Sequence, residues 1–276
     1  MKSVGITACS DAQEPEQREE NAALAAYLRE SGNNVILSRC IYKKGGIFSG
    51  TGKQRAEELM KMFACPEITD IYDISGGDMA NEILDWLDFE TIRNSRAVFW
   101  GYSDLTAVIN AIYSQTGKPG VLYQIKNLIY DDCMDIQRRR FTDRRELFSP
   151  SFSFVQGDHM KGTVVGGNLR CFLKLAGTKY FPDVTGRILL MESLGGRVPQ
   201  MITYLSQLRS CGVFNKINGV LLGTFSEMEA CGCEPDIISL VCRFAGPGMP
   251  VAKTGEIGHG HDSKAVMIGS EIELHA

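Results

Sequence analysis

The chain has no apolar run approaching the roughly 20 residues that a membrane-spanning helix needs, which excludes a bilayer-spanning helix as its organising element. It also has no charge excess of one sign. Its 29 basic and 33 acidic residues leave a formal net charge of −4, giving no reason to expect nucleic acid or an anionic membrane surface as a partner. No internal repeat or low-complexity stretch is visible. The N-terminus, Met1-Lys2-Ser3-Val4-Gly5-Ile6-Thr7-Ala8, has one lysine and then a short apolar run. That is too short for an export signal and reads better as a first strand. Cysteine is not lacking. There are nine, an odd number, and without an export signal this favours reduced thiols in a cytoplasm over a disulfide framework. The 44% apolar and 22% charged content is that of an ordinary soluble globular protein, and 276 residues suffice for two domains.

The first half alternates strand and helix patterns. Strands are predicted at 4–8, 34–38, 68–75, 97–102 and 120–123, with helices at 15–31, 52–63, 79–87 and 105–116 between them. Asn33-Asn34 and Gly76-Gly77 punctuate as turns. Such alternation with short connections predicts an α/β fold, in which an N-terminal doubly wound, mostly parallel sheet is covered by helices on both faces. The stretch from Asp131 to Phe148 is highly charged, with Arg138-Arg139-Arg140 and Arg144-Arg145. It reads as a crossing between domains, its arginines forming a solvated face paired with Asp143 and Glu146. The second half reads as a C-terminal α/β domain of β-rich character. Gly166-Gly167-Asn168-Leu169 opens a helix to 176, strands fall at 187–191, 217–224, 251–253 and 265–274, and helices at 199–211 and 236–244. The expected division is 1–130, a crossing at 131–150, and 151–276.

Ligands in parallel sheets bind beyond the carboxyl ends of the strands. One such end is Gly101-Tyr102-Ser103-Asp104-Leu105-Thr106, where an apolar strand gives way to a helix. A serine at a sharp strand-to-helix turn projects its hydroxyl from the sheet edge, with free backbone N–H groups behind it. Taken alone, Ser103 also fits a helix cap, and as a nucleophile it needs a base. Histidine is scarce, with four residues. His275 is next to the chain end, and His159 lies near the crossing with no turn aimed at the sheet edge. His259 and His261 share the glycine-rich turn Gly258-His259-Gly260-His261-Asp262. Their spacing also admits a weak metal site, with Asp262, Glu256 or a distant cysteine as third ligand. Ile188-Leu189-Leu190-Met191-Glu192 ends an apolar strand in an acid, which is costly to bury unpaired and is suited to orienting a histidine. Gly76-Gly77 after a strand makes a tight turn or brings an oxyanion-binding N–H close to the serine. The Cys231-Gly232-Cys233 pair reads as structural rather than metal-binding.

In this order, these words resemble one family: the L,D-carboxypeptidases of the serine peptidase family S66 that also contains the microcin C immunity peptidases. The resemblance rests on Ser75-Gly76-Gly77-Asp78 with Leu84-Asp85, on Gly101 to Thr106, and on Gly166-Gly167-Asn168-Leu169 with Gly177-Thr178. It rests further on Ile188 to Glu192, on Gly219 to Phe225, and on Gly258-His259 with Gly269 ten residues after the histidine. It covers nearly the whole chain and selects His259 over His261. It implies a catalytic Ser103–His259–Glu192 triad, an oxyanion hole from the backbone of Asp104 and Gly77, and no metal or cofactor. It also implies a cytoplasmic homodimer whose substrate is a muropeptide cleaved at an L,D-bond to release D-alanine during cell-wall recycling. A microcin-type immunity peptidase acting on a peptidyl or aminoacyl nucleotide is the alternative, with Tyr123, Tyr130 and Phe141 as candidate stacking residues. A non-catalytic peptide-binding protein on the same scaffold is the third reading. The chain departs from the family at Met267, at Tyr123-Gln124-Ile125-Lys126 and at Ser193 to Arg197, positions that bear on the substrate. Ser10 and the Arg138–Arg145 segment are the candidates for holding a terminal carboxylate.

Overall fold

The computed structural model describes residues 2–276, which include the whole of the first strand expected at 4–8. The strands, in chain order, are β1 (Lys2–Thr7), β2 (Asn33–Leu37), β3 (Ile68–Asp73), β4 (Val98–Gly101), β5 (Gly120–Leu122) and β6 (Ser153–Gln156). They continue with β7 (His159–Asn168), β8 (Ile188–Ser193), β9 (Gly219–Phe225), β10 (Val251–Lys253), β11 (Val266–Ile268) and β12 (Glu271–His275). They form two six-stranded sheets, ordered β11-β5-β4-β3-β1-β2 and β12-β7-β8-β9-β10-β6. In the first, β2, β1, β3, β4 and β5 are parallel and β11 closes the edge antiparallel to β5. In the second, β7 to β10 are parallel, with antiparallel strands at both edges. Strands such as Ile188–Ser193 are buried along their whole length, as parallel strands covered on both faces must be. The expected α/β architecture is therefore observed. Strand β11 returns from the last part of the chain to complete the first sheet.

Four local features differ from the sequence expectation. The strand expected at 265–274 is two strands, β11 in the first sheet and β12 in the second, parted at Gly269, whose φ is +91°. Ala80–Trp86 is a 3-10 helix rather than an α-helix. The segment before Leu169 is the ten-residue strand β7, and the helix it leads into spans only Leu169–Leu173. The alternation of His159, Lys161 and Thr163 with Met160, Gly162 and Val164 carries that strand's signal. Cys231 and Cys233 are joined to each other by a disulfide, around Gly232 in the left-handed region (φ +58°), whereas the expectation was reduced thiols; the other seven cysteines are free.

The first sheet reverses its strand order at β1, which has β2 on one side and β3 on the other. The loops that follow β1 and β3 are tied together, with Ser10 N donating to Ser75 Oγ (2.9 Å) and Asp11 N to the Gly76 carbonyl (3.1 Å). This is the switch point at which parallel sheets place ligands.

The two sheets meet through helix Thr106–Thr116, whose first seven residues are all buried. Asn110 lies across the junction. Its Nδ2 donates to the Gly166 carbonyl (2.9 Å) and its Oδ1 accepts from the Gly166 N–H (2.9 Å). Thr106 Oγ1 accepts from the Asn168 N–H at 3.0 Å. The charged crossing is helical over Met134–Thr142 and Arg144–Leu147. Arg139 and Arg140 pair with Glu146, whereas Asp143 caps the Arg145 N–H instead of forming an ion pair.

Replacing Asn110 by alanine leaves both backbone groups of Gly166 buried without partners. At about 1–3 kcal/mol for each of the two orphaned groups, Asn110→Ala is expected to lower unfolding stability by about 2–6 kcal/mol in urea denaturation. An effect below 0.5 kcal/mol would show that the junction does not depend on it.

Candidate functional site

Ser103 is the one non-glycine residue among those described with φ in the left-handed region, at +53°. An L-residue pays about 1–2 kcal/mol for that conformation, and such outliers persist where the surroundings over-determine them. Here the surroundings are identifiable. A Cβ on Gly101 would fall 2.6 Å from Leu105 Cβ, so only glycine lets the chain double back this tightly. Tyr102 enters extended, at φ −141° and ψ 171°, and is itself buried.

Asp104 fixes the turn from behind. It is fully buried, and its carboxylate accepts from Ser10 Oγ (2.6 Å), from the Ala80 N–H (2.8 Å) and from Lys174 Nζ (2.5 Å). Lys174 follows the helix at Leu169–Leu173, so this acid joins the serine turn, the β1 loop and the second half of the chain. Ser10 is thus a structural partner of Asp104 and not a free carboxylate binder.

Gly76 and Gly77 sit against the serine. A Cβ built on Gly76 would lie 3.8 Å from Ser103 Cβ and 4.0 Å from its Oγ. Gly77 has φ +119° and leaves no room for a Cβ beside the Asp11 carboxylate. Its N–H makes no hydrogen bond with the described residues. The Asp104 N–H lies in the first turn after β4, where the chain offers no helical carbonyl partner. Neither N–H is taken up by a hydrogen bond to another element among the described residues. Arg170 holds the glycine pair in place through the Asp78 carboxylate and the Gly77 carbonyl.

Glu192 and His259 come from the second sheet. Glu192 lies within β8 and is fully buried, and His259 follows β10. His259 Nδ1 stands 2.8 Å from Glu192 Oε2. The approach is close but off-line, and neither group has a well-aligned hydrogen bond. The attraction is that of adjacent groups in a dry site, where charge interactions are stronger than in water. Tyr102 packs edge-on to the His259 ring, with centroids 4.9 Å apart. Burial, and then the Glu192 carboxylate beside it, push the Tyr102 hydroxyl well above the ordinary tyrosine range. His259 Nε2 has no hydrogen-bond partner among the described residues, so the serine and histidine share a cavity wall without being bonded.

Ser103 separates two cavities. The smaller, of about 160 Å³, is lined by Gln124, Asn127, Tyr130, His259 and His261. The larger, of about 450 Å³, is lined by Gly77, Asn168, Arg170, Leu194 and Tyr204. His259 borders only the first and Gly77 only the second.

The other candidates fall elsewhere. His261 Nδ1 faces Asp132 at 2.9 Å and its ring stacks on Tyr130, so the two loop histidines address different partners. His159 and His275 lie with Glu273 at an exposed sheet edge. Tyr123 and Phe141 are buried around Trp100. Four arginines of the crossing, Arg138, Arg139, Arg140 and Arg144, have partners of their own. Arg138 donates to the Leu128 carbonyl, Arg140 to that of Asp262, and Arg144 covers Trp100. Residues the sequence reading passed over include Gln137, fully buried, whose Nε2 donates to the carbonyls of His261 (2.5 Å) and Ser263 (2.9 Å) and so holds the histidine loop. Asn127 was also missed, and Gln124 was noted only as part of a departure from the family, although both follow strand β5 at the same sheet edge as Ser103.

Comparison with known proteins identifies the family and the fold. The family model described as LD-carboxypeptidase N-terminal domain matches residues 4–124, and its C-terminal counterpart matches 161–274. The chain is 28% identical to a probable murein peptide carboxypeptidase of Bacillus subtilis, over 99% of this chain and 88% of the relative. It is 22% identical to the microcin C7 self-immunity protein MccF of Escherichia coli, over 90% and 83%. The solved muramoyltetrapeptide carboxypeptidase of Oxalobacter formigenes has the same fold, with a TM-score of 0.85 at 23% identity over 100% of this chain and 95% of that one.

The strain at Ser103 is directly measurable. Ser103→Gly removes the left-handed penalty while adding freedom to the unfolded chain, and is expected to be as stable as the parent or up to about 1 kcal/mol more so. Ser103→Val is expected to lose more than 1 kcal/mol by the same urea titration. Equal losses in both would show that φ is not strained at this residue.

Proposed function

The chain belongs to the LD-carboxypeptidase family of peptidases, and from that premise we propose that it is a serine carboxypeptidase with a Ser103–His259–Glu192 triad. Ser103 Oγ attacks the scissile carbonyl as its hydroxyl swings toward His259 Nε2, which takes the proton. Catalytic hydrogen bonds of this kind are often loose until substrate binds. Glu192 holds Nδ1 and stabilises the imidazolium. The N–H groups of Gly77 and Asp104 receive the oxyanion, a contribution of roughly 10²–10³ in rate per donor. His259 then protonates the leaving amine, and water releases the acyl group by the reverse sequence.

The single observation that carries the reading is the placing of two cavities on either side of Ser103. The departing nitrogen takes its proton from His259, so the leaving group occupies the cavity that His259 lines. The carbonyl oxygen points toward Gly77, so the acyl part fills the other. A cavity of about 160 Å³ suits one small amino acid, whereas about 450 Å³ suits a peptide. Sites for larger ligands typically span about 300–1,000 Å³. This supports release of a single C-terminal residue, D-alanine from a murein tetrapeptide, over release of a nucleotide. Of the aromatic residues considered for stacking a base, Tyr123 and Phe141 are in the core, and Tyr130 already carries His261 on its face.

The same proposal takes residues 1–130 and 151–276 as the two domains, joined by 131–150. It also takes the protein to be a cytoplasmic homodimer, as the family resemblance implies.

Incubation with a murein tetrapeptide is expected to release D-alanine. Ser103→Ala and His259→Ala are each expected to lower kcat by at least about 10³-fold, with KM little changed. Binding without hydrolysis in the wild-type protein would contradict the proposal and favour a non-catalytic binding role. Faster cleavage of an aminoacyl nucleotide than of the peptide would favour the immunity-type activity.

A further inference from the structure

We propose that the smaller cavity is the receptor for the substrate's terminal carboxylate, and that Asn127, Gln124 and His261 hold it. This rests on the peptidase reading above, because the cavity on the His259 side is the one that receives the departing residue. A carboxylate taken from water must meet N–H donors or a cation, and must not meet another acid.

The smaller cavity meets these terms. No aspartate or glutamate lines it. Asn127 is 2% exposed, and its Nδ2 has no hydrogen-bond partner among the described residues. A buried donor without a partner, on a residue that lines a cavity, is a group that an acceptor supplied by a ligand can satisfy. Gln124 uses its Oε1 to accept from the Lys126 N–H at 3.2 Å, which leaves its amide nitrogen as the other end of the group. His261 is fixed by Asp132 at Nδ1 and by the Tyr130 ring, with centroids 4.0 Å apart and planes 21° from parallel. Nδ1 is occupied by the Asp132 contact, which leaves Nε2 as the ring nitrogen that can face the incoming carboxylate.

The neighbouring cations have other partners. Arg170 is held by Asp78 and the Gly77 carbonyl, Lys174 by Asp104 and the Asp78 carbonyl, and Lys126 by Gln13 and Glu20. Arg170 also borders the larger cavity, on the acyl side of Ser103. Of the residues around the nucleophile, the asparagine, glutamine and histidine set is the one placed to receive the anion on the leaving side.

Equilibrium binding to Ser103→Ala protein tests this without turnover. The ligands are a murein tetrapeptide ending in D-alanine and the same peptide with a C-terminal carboxamide, titrated by calorimetry. The acid is expected to bind roughly 10–100-fold more tightly than the amide, the range for charge-assisted hydrogen bonds. Adding Asn127→Ala or His261→Ala is expected to shrink that ratio to about threefold or less. Asn127→Asp, which faces the ligand with an acid of the same size, is expected to reverse it, a gain that misfolding does not produce. His261 lies on an exposed loop, so its replacement spares the core. No preference for the acid in Ser103→Ala overturns the proposal. So does a preference that survives both alanine variants, or one lost in Arg170→Ala instead. Hydrolysis of the tetrapeptide by the wild-type chain is read separately and decides the peptidase reading alone.

Discussion

The site depends on the contact between Asn110 and Gly166. The serine turn is built on the first sheet, while Glu192 and His259 are built on the second. Neither half has a complete set of groups. The helix that begins just after Ser103 carries Asn110 into the second sheet, where a side-chain amide pairs with both backbone groups of one glycine. Two hydrogen bonds to one residue fix direction as well as distance, so the helix is set in register with β7. Since β7 pairs with β8 through Asn168 and Glu192, the position of the acid follows from the same contact. Lys174 on Asp104 adds a second tie from the opposite side of the turn.

Once the halves are docked, the free energy stored at the junction is local. Ser103 keeps a backbone conformation that an L-residue avoids. Around it lie Tyr102 Oη, both oxygens of Glu192 and both ring nitrogens of His259, all buried without a well-formed hydrogen bond. Folded proteins satisfy most such groups, and where they do not the site is a candidate for chemistry. In the proposed mechanism, the leaving amine placed beside Ser103 is the partner that His259 Nε2 lacks. In that mechanism the two cavities give the leaving residue and the acyl part separate places, a small one beside the histidine and a large one beside the glycine pair.

Much of this was legible in the residues. The strand-to-helix turn at Gly101 to Thr106, the apolar strand ending in Glu192, and the glycine-flanked His259 each carry a local signal, because strand ends and glycine-rich turns have strict backbone demands. The strand His159–Asn168 was missed because Gly162, Gly166 and Gly167 interrupt its alternation and read as a turn. The arginine-rich crossing looked like a solvated face, and partly is, yet Arg140 and the unremarked Gln137 hold the histidine loop. Such long-range positioning leaves no periodic trace. Asn127 was passed over, and Gln124 noted only as a departure from the family, for a related reason: an amide side chain signals nothing until the fold shows what surrounds it.

The central claim is that docking of the two sheets turns a strained serine into a nucleophile. Labelling with a fluorophosphonate, followed by intact mass and peptide mapping, tests it most directly. The account expects one adduct per chain, located on Ser103 and absent in His259→Ala. No adduct in the wild-type protein, or labelling of Ser103 that is undiminished without His259, would contradict it.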